Sequence, residues 1–316
     1  MGKGDADRAK AVIWETNPLP AILGMACDQK CRGRCTRGLF DRPLDIRGVK
    51  RFAVENGRIP VADRASLGDA TRVAVVGAGP AGLAAARELV RGGFWVEVFE
   101  AHDRAGGLAA TVIPGFRLGA AALEDDVARL KEMGVIFHHG EAVDPQRLAE
   151  LLNAFQLVFL AAGAGQGRRL LIPEEDAAGV HDALEFLAAA KRGEAPDIGS
   201  QVVVIGGGNS AMDAARTARR LCGPPGRVTV IYRRTLAEMP AAAGEIREAI
   251  AEGVIIMELT APLRIETSEG REWALLCSRM ELRQADDSGR PRPVPLFGSE
   301  FELTCDAVIV AIGQDR

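Results

Sequence analysis

The sequence lacks the long apolar run that a membrane protein needs. No stretch reaches about 18 uninterrupted apolar residues, and the opening MGKGDADRAK is charged and has no signal-peptide core. It also lacks a charge excess, because 39 basic and 43 acidic residues leave a net charge of −4. No basic field can gather nucleic acid or an acidic membrane surface. We therefore expect small-molecule or protein partners and a cytoplasmic location.

Several catalytic signatures are also missing. The chain has no CxxC pair, no GxSxG turn and no HExxH motif, which excludes a dithiol reductase of the thioredoxin-reductase kind and the hydrolases that use the other two. Its six cysteines do not resemble a secreted disulfide framework, since three lie within nine residues and the others are scattered. With 316 residues, 47% of them apolar, the chain is long enough for about two globular domains.

Hydrophobic periodicity and Gly/Pro punctuation divide the rest of the chain. A helix is predicted from about Ile46 to Glu55, and the polar stretch 58–70 reads as a linker with a domain boundary near residue 69. Two βαβ units follow, one beginning with strand Arg72–Val76 and one within residues 201–234. Further predicted elements are a helix starting near Ala81, a strand at Trp95–Glu100, a helix near Leu123–Met133, a strand at Val135–His138, a buried apolar run at 157–164 and a strand in the last 12 residues.

The first glycine turn is Gly77-x-Gly79-x-x-Gly82, between a strand and a helix. The first glycine permits the tight turn, the second lets the backbone approach a pyrophosphate, and the third lets helix and strand pack closely. Glu100 ends the next strand, where a carboxylate accepts hydrogen bonds from ribose hydroxyls. This unit is predicted to bind a nucleotide without a 2′-phosphate, such as FAD or NAD. The alternative is a structural turn with a solvated Glu100.

The second glycine turn is Gly206-x-Gly208-x-x-Ala211, and its following strand ends in Tyr232-Arg233-Arg234 instead of an acid. Guanidinium groups form bidentate, charge-assisted hydrogen bonds with phosphate, and the missing carboxylate removes a repulsion. The second unit is therefore predicted to prefer NADPH to NADH, against the alternative that both arginines are merely solvated.

Cys27, Cys31 and Cys35 are spaced four residues apart, and thiolates at such spacing can ligate an iron–sulfur cluster or zinc. Three ligands are one short of four. A fourth could come from Cys222, Cys277, Cys305, a non-cysteine group or a partner chain, and reduced free thiols are the alternative.

Taken in order, these motifs resemble the family of the glutamate synthase small subunit, which includes dihydropyrimidine dehydrogenase-like and selenate reductase-like subunits. The resemblance covers most of residues 17–316 and rests on NPLPAILGMACDQKCRGRC, DRPLDIRGVKRF, VAVVGAGPAGLAAA, VIGGGNSAMDAARTARR, VIYRRTLAEMPA and the terminal AIGQ. It implies an α/β fold of two nested Rossmann-like domains, the NADPH domain inserted in the FAD domain, behind a small, mainly helical cysteine-containing segment. The implied domains are 1–69 for that segment and linker, 70–165 for the first part of the FAD domain, 166–304 for the NADPH domain, and 305–316 for a return strand of the FAD domain.

The resemblance also implies the residues that touch each cofactor. Those implied for FAD are Gly77, Gly79, Gly82, Glu100 and Gly107. Further cofactor-binding residues, not assigned to either nucleotide, are Pro80, Ala81, Leu108, Arg117, Ala162, Gly163 and Gly313. Those implied for NADPH are Gly206, Gly208, Asn209, Ser210, Arg233, Arg234 and, at the nicotinamide side, Glu238. For a [4Fe-4S] cluster they are Cys27, Cys31 and Cys35.

Two departures from the family pattern qualify these implications. The family's additional upstream cysteine is replaced by Leu23, so the cluster ligand set is incomplete. The sequence also stops at Arg316, before the family's Gly-Asp motif, and we expect a fragment of a longer protein. The alternatives are a separate chain that completes the FAD site and a chain that does not retain the flavin.

The function implied by the resemblance is an NADPH-dependent flavoprotein oxidoreductase. Hydride passes from NADPH to FAD, and electrons continue to iron–sulfur centres or a partner subunit. Hydride transfer needs no protein acid or base, so no catalytic residue is nominated. The rival is a non-catalytic nucleotide-binding or scaffolding subunit of an electron-transfer complex.

Overall fold

The computed structural model describes residues 4–58, 71–267, 273–285 and 289–315. The predicted linker at 58–70 lies outside this part of the chain, except for Arg58. The chain divides into two compact units, residues 1–163 and 164–316. No helix in the described ranges is long and apolar enough to cross a membrane.

The first unit has a small helical N-terminal segment followed by a Rossmann-like sheet. Its helices are α1 Ala6–Thr16, α2 Pro20–Ala26, α3 Ile46–Asn56, α4 Pro80–Arg91, α5 Leu108–Thr111, α6 Ala120–Glu132 and α7 Pro145–Ala154, with short 3₁₀ turns at Lys30–Arg34 and Thr36–Leu39. Its strands are β1 Arg72–Val76, β2 Trp95–Glu100, β3 Ile136–His139 and β4 Leu157–Leu160. All pair in parallel in the order β3-β2-β1-β4.

The N-terminal segment shares its core with this sheet layer. Leu19 and Ile22 are buried in the same apolar cluster as Leu83 of α4 and Leu130 of α6. Trp14 of α1 lies under the guanidinium of Arg87, 4.7 Å from ring centroid to Cζ. These side chains bury their apolar surface together within the first unit, and the boundary near residue 69 stays a prediction.

The second unit combines a parallel sheet with an antiparallel one. Its helices are α8 Ala183–Arg192, α9 Asn209–Cys222 and α10 Ala243–Ala251, with a 3₁₀ turn at Leu236–Glu238. Its strands are β5 Gln166–Gly167, β6 Val180–Asp182, β7 Gln201–Ile205, β8 Arg227–Ile231, β9 Ile255–Met257, β10 Thr260–Thr267, β11 Trp273–Ala285, β12 Pro291–Pro295, β13 Phe301–Cys305, β14 Ala307–Val310 and β15 Gln314–Asp315. The parallel sheet runs β6-β14-β7-β8-β9, and β11 pairs with β10, β12 and β13.

Most predicted elements of the two βαβ units are confirmed. Strands β1 and β2 have their predicted bounds, and α3 ends one residue later than predicted. The predicted helix near 123–133 begins three residues earlier, as α6. Asp45 caps α3 by accepting a hydrogen bond from the N–H of Gly48 at 3.2 Å, which fixes the start of that helix.

Two predictions about the strands are wrong. The run 157–164 was expected to be buried, but Leu157 and Leu160 are 50% and 62% exposed, because β4 is an edge strand that pairs with β1 alone among the described residues. Residues 305–316 were expected to return to the first sheet. Instead β14 pairs in parallel with β7 and β6, which buries its side chains in the second unit. Within the described residues the two units follow one another along the chain.

Candidate functional site

The first glycine turn joins β1 to α4 in a conformation that only glycine fits. Gly77 has φ +98°, and a Cβ there would lie 2.4 Å from the carbonyl oxygen of Ala161. A Cβ on Gly82 would lie 1.9 Å from the carbonyl oxygen of Gly77. The chain thus turns sharply at the carboxyl end of β1, and Pro80 and Ala81 stand exposed at the amino end of α4. This is the usual setting of a bound pyrophosphate.

Glu100 is fixed beside this turn by backbone hydrogen bonds. Its side chain is 5% exposed. One carboxylate oxygen accepts from the N–H of Ala78 at 2.8 Å and the other from the N–H of His102 at 2.9 Å. Each oxygen has a second lone pair that can accept from a hydroxyl group. The carboxylate is therefore held at the end of β2 by the backbone on both sides.

The backbone of Gly106 and Gly107 lies against the same turn, and other predicted cofactor-binding residues lie elsewhere in the first unit. The N–H of Gly106 donates to the carbonyl of Ala78 at 2.7 Å, and a Cβ on Gly107 would lie 2.8 Å from Cα of Gly79. Leu108 begins α5 directly behind this contact. Ala162 and Gly163 follow β4 on exposed backbone. Arg117 is partly buried in the segment before α6, and its predicted role stays a prediction.

The second glycine turn opens into a cavity of about 550 Å³ within the second unit. Gly206 has φ +143°, and a Cβ there would lie 2.2 Å from the carbonyl oxygen of Ala311. Gly208 has open space where its Cβ would be, so the backbone is accessible at the amino end of α9. The predicted residues that line the cavity are Gly206, Gly208, Ser210, Arg233, Arg234 and Gly313. Gly313, predicted to bind a cofactor without a choice between the two, lies in this second unit.

The two predicted arginines differ in their surroundings. Arg233 is exposed at the cavity, whereas Arg234 is 5% exposed and its Nε donates to the carbonyl of Pro291 at 2.7 Å. The lining also includes Arg168 and Arg290, which sequence reasoning missed. The basic run GRPRP around Arg290 was the available signal, but nothing local connects it to the glycine turn.

Two residues predicted for NADPH, Asn209 and Glu238, form hydrogen bonds with the backbone of nearby loops. Asn209 accepts from the N–H of Ala242 at 2.9 Å. The Glu238 carboxylate closes a capping box by accepting from the N–H of Thr235 at 3.0 Å and from its hydroxyl group. The hydrogen bond from the Thr235 side chain lowers the pKa of Glu238. Neither side chain is among the described residues lining the cavity.

The cysteine segment has ligand chemistry but no assembled ligand set. Backbone hydrogen bonds from Leu44, Arg37 and Gly38 lower the pKa of Cys35, and the Cys27 sulfur accepts from the N–H of Gln29 at 3.5 Å. Such N–H donors suit a thiolate ligand. Within the residues that the structure describes, however, no three His, Cys, Asp or Glu side chains are grouped to hold a metal. The residues present therefore do not fit a cluster by themselves.

Two of the remaining cysteines are unsuited to supply the fourth ligand. Burial in the second unit raises the pKa of Cys277 and Cys305 to about 12. Both thiols pack in the core around Ile265 and Leu275. Metal ligation requires an accessible thiolate.

Asp126 of α6 holds the N-terminal segment against the rest of the first unit. Its carboxylate accepts from the N–H of Ala21 at 3.2 Å and of Ile22 at 2.9 Å, at the start of α2. The side chain is 1% exposed, and burial raises its pKa to about 7 although these hydrogen bonds oppose the shift. The chain between α2 and α3 carries the three cysteines, so Asp126 helps to place them.

The buried Asp126 carboxyl should make the protein less stable as pH rises, because its pKa is raised in the folded state. Between about pH 4 and pH 7 the folded chain keeps the Asp126 proton while the unfolded chain loses it. The contribution of Asp126 to the free energy of unfolding is therefore full below that window. It is lost as pH rises through it, by at most about 1.4 kcal/mol per pH unit. Asp126→Asn removes the titration.

Denaturant unfolding of both proteins between about pH 5 and pH 7 measures the difference. The wild type should lose stability relative to Asp126→Asn as pH rises. Asp125→Asn is the control, because the neighbouring carboxylate is 56% exposed and contacts Lys10 at 3.6 Å. A constant difference between wild type and Asp126→Asn would contradict the assignment.

Comparison with known families gives two matches. Residues 71–316 match the family model described as pyridine nucleotide-disulphide oxidoreductase. Residues 1–59 match the model described as dihydropyrimidine dehydrogenase domain II, 4Fe-4S cluster. Together they cover both described units and the cysteine segment.

Individual relatives agree with these matches. The chain is 38% identical to the NADP(+)-dependent formate dehydrogenase subunit beta of Moorella thermoacetica, over 98% of this chain and 48% of that protein. It is 35% identical to the glutamate synthase [NADPH] small chain of Escherichia coli, over 98% of this chain and 69% of that one. The chain thus spans about half the length of the first of these relatives.

A solved structure shares the fold. FprA of Mycobacterium tuberculosis in complex with NADPH superposes with a TM-score of 0.66 at 22% identity, covering 78% of this chain and 71% of FprA. At this identity the match concerns the fold alone.

Proposed function

Since this chain belongs to the pyridine nucleotide-disulphide oxidoreductase family, among the FAD- and NADPH-dependent oxidoreductases of the glutamate synthase small-subunit type, we propose that it accepts hydride from NADPH on bound FAD. The electrons then pass to a redox partner. The observation that supports this proposal best is the cavity at the second glycine turn, whose lining contains four arginines. Guanidinium groups at this position suit a nucleotide 2′-phosphate. The family membership confirms the α/β class and the oxidoreductase class predicted from the sequence.

The first unit supplies the FAD end of the proposed reaction. Gly77 and Gly82 leave no room for a side chain, and Gly79 faces open space apart from the backbone of Gly107. The pyrophosphate would be held by backbone N–H groups at the start of α4, and Glu100 would accept from the ribose. No positive side chain is needed for this, because helix amino ends attract anions.

The second unit supplies the NADPH end. Gly208 and Ser210 at the start of α9 would face the pyrophosphate, while Arg233 would face the 2′-phosphate. The lining contains four arginines and one carboxylate, that of Asp182, which is hydrogen-bonded to the N–H groups of Leu184 and Glu185 at the start of α8. This excess of positive charge favours a phosphorylated ligand.

When bound, the two cofactors supply the redox chemistry, and the chain positions them and keeps water out. No acid or base of the protein is needed for hydride transfer, which agrees with the lack of a nominated catalytic residue. The electrons would leave the flavin for a partner subunit. The six cysteines are free thiols, which favours the reducing cytoplasm as the compartment.

Anaerobic reduction of added FAD tests the proposal. The purified chain is incubated with FAD, separated from unbound flavin and mixed with NADPH or with NADH. We expect retained FAD, rapid bleaching of its absorbance by NADPH, and bleaching at least about tenfold slower by NADH at equal low concentration, as the loss of a charged contact implies. Retained FAD that NADPH does not reduce would favour the non-catalytic scaffolding role.

A further inference from the structure

An arginine far from the second glycine turn in sequence reaches the same cavity. We propose that Arg290 is a specificity-determining residue that contacts the 2′-phosphate of NADPH together with Arg233. The inference rests on the proposed function, which it extends by assigning a contact that the glycine-turn motif does not contain. Arg290 lies on the chain leading into β12, 57 residues after Arg233.

Two of the interactions of Arg290 are hydrogen bonds that orient it at the cavity wall. Its Nη2 donates to the hydroxyl oxygen of Tyr232 at 2.9 Å and to the carbonyl of Glu238 at 2.8 Å. Both acceptors are neutral, and both belong to the segment that follows β8. The planar guanidinium is thereby held in a fixed plane, which is the geometry that phosphate recognition uses.

Tyr232 connects this guanidinium to the glycine turn. A Cβ on Gly207 would lie 2.6 Å from Cε2 of Tyr232, so the tyrosine ring rests directly against the turn backbone. The ring is buried, and its hydroxyl also donates to the carbonyl of Glu238 at 3.1 Å. A rigid ring thus sets the distance between the backbone that would hold the pyrophosphate and the Arg290 guanidinium. The Tyr232 hydroxyl acts as a positioning group.

Arg234 also holds the chain next to Arg290. It is buried, and its Nε donates to the carbonyl of Pro291, the residue that follows Arg290. Arg233 and Arg234, both predicted from the sequence, therefore have different roles. Arg233 is exposed at the cavity, while Arg234 holds the chain that carries Arg290.

The affinity of the chain for two fragments of NADPH, measured at equilibrium, tests the role of Arg290 without FAD or turnover. The probes are 2′,5′-ADP, which carries the 2′-phosphate, and 5′-AMP, which does not. The variants are Arg290→Ala and Arg290→Gln, of which the second retains hydrogen-bonding groups and removes the charge. Arg292→Ala is the control, because Arg292 is exposed two residues along β12 and is not among the described lining residues.

We expect the wild type to bind 2′,5′-ADP more tightly than 5′-AMP. Both Arg290 variants should lose about tenfold or more in affinity for 2′,5′-ADP, with 5′-AMP affinity within about twofold of wild type, as removal of one charge-assisted contact implies. Tyr232→Phe should reduce the preference for 2′,5′-ADP less than Arg290→Ala and leave 5′-AMP binding unchanged. Arg292→Ala should match the wild type.

The outcomes separate this inference from the proposed function. If both Arg290 variants retain the wild-type preference while Arg233→Ala loses it, Arg290 is not a 2′-phosphate contact and the NADPH assignment stands. An equal loss for both probes would also overturn the inference, because it would indicate a damaged site. If the wild type itself shows no preference for 2′,5′-ADP, the NADPH assignment fails.

Discussion

Gly206→Ala is expected to cost about 2–6 kcal/mol of unfolding free energy, the sum of backbone strain and overpacking. The backbone at Gly206 has φ +143°, a region that L side chains rarely adopt. The added Cβ would also lie 2.2 Å from the carbonyl oxygen of Ala311. That carbonyl follows β14, which is paired with β7, so it has little freedom to move away. Denaturant titration of variant and wild type measures the loss.

Gly208→Ala is the matched variant with the opposite expectation. Gly208 has φ −90° and ψ 177°, which alanine adopts without strain, and no atom lies within 4 Å of the point that an added Cβ would occupy. Its stability should stay within about 0.5 kcal/mol of wild type. NADPH affinity should fall at least about tenfold, because the methyl group would occupy the space through which a pyrophosphate approaches the backbone. Equal stability losses in the two variants would contradict this account of the turn.

The glycine turns were predictable because their causes are local. A short apolar strand, a turn that excludes Cβ atoms and an alanine-rich helix lie within about 20 residues, and each part has its own residue signature. The strands β1 and β2 therefore have their predicted bounds. The sign of the charge after each second strand was equally visible, in Glu100 and in Arg233.

What the sequence did not reveal depends on contacts between distant residues. Arg233 and Arg234 are adjacent and chemically identical, yet only a β-strand 57 residues after Arg234 decides that Arg234 is buried against Pro291. The strands that pair with β14, namely β6 and β7, also lie far from it in sequence. An apolar strand with the same local pattern could pair in either parallel sheet, so the pattern alone does not decide. Likewise, Asp125 and Asp126 are neighbours on α6, and only the docking of α2 makes one of them a buried acceptor.

Glu100→Ala should lower the stability of the first unit and abolish FAD retention. The substitution removes the acceptor for the N–H groups of Ala78 and His102, one on each side of the carboxylate. A buried donor left without an acceptor costs about 1–3 kcal/mol, so we expect a loss of about 2–6 kcal/mol for the two donors together. FAD would lose its proposed ribose acceptor and the fixed turn together. Unfolding by denaturant and flavin retention after gel filtration measure the two effects.

Glu100→Gln isolates the role of the second oxygen. An amide has one accepting oxygen, and its NH₂ group would face the other backbone N–H, so only one of the two hydrogen bonds can be kept. We expect about half of the stability loss of the alanine variant and FAD affinity reduced at least about tenfold. Asp103→Asn, at a carboxylate that is 80% exposed and contacts Arg104 at 3.3 Å, is the charge-matched control. If Glu100→Gln retains FAD as well as the wild type does, the second carboxylate oxygen has no part in binding the flavin nucleotide.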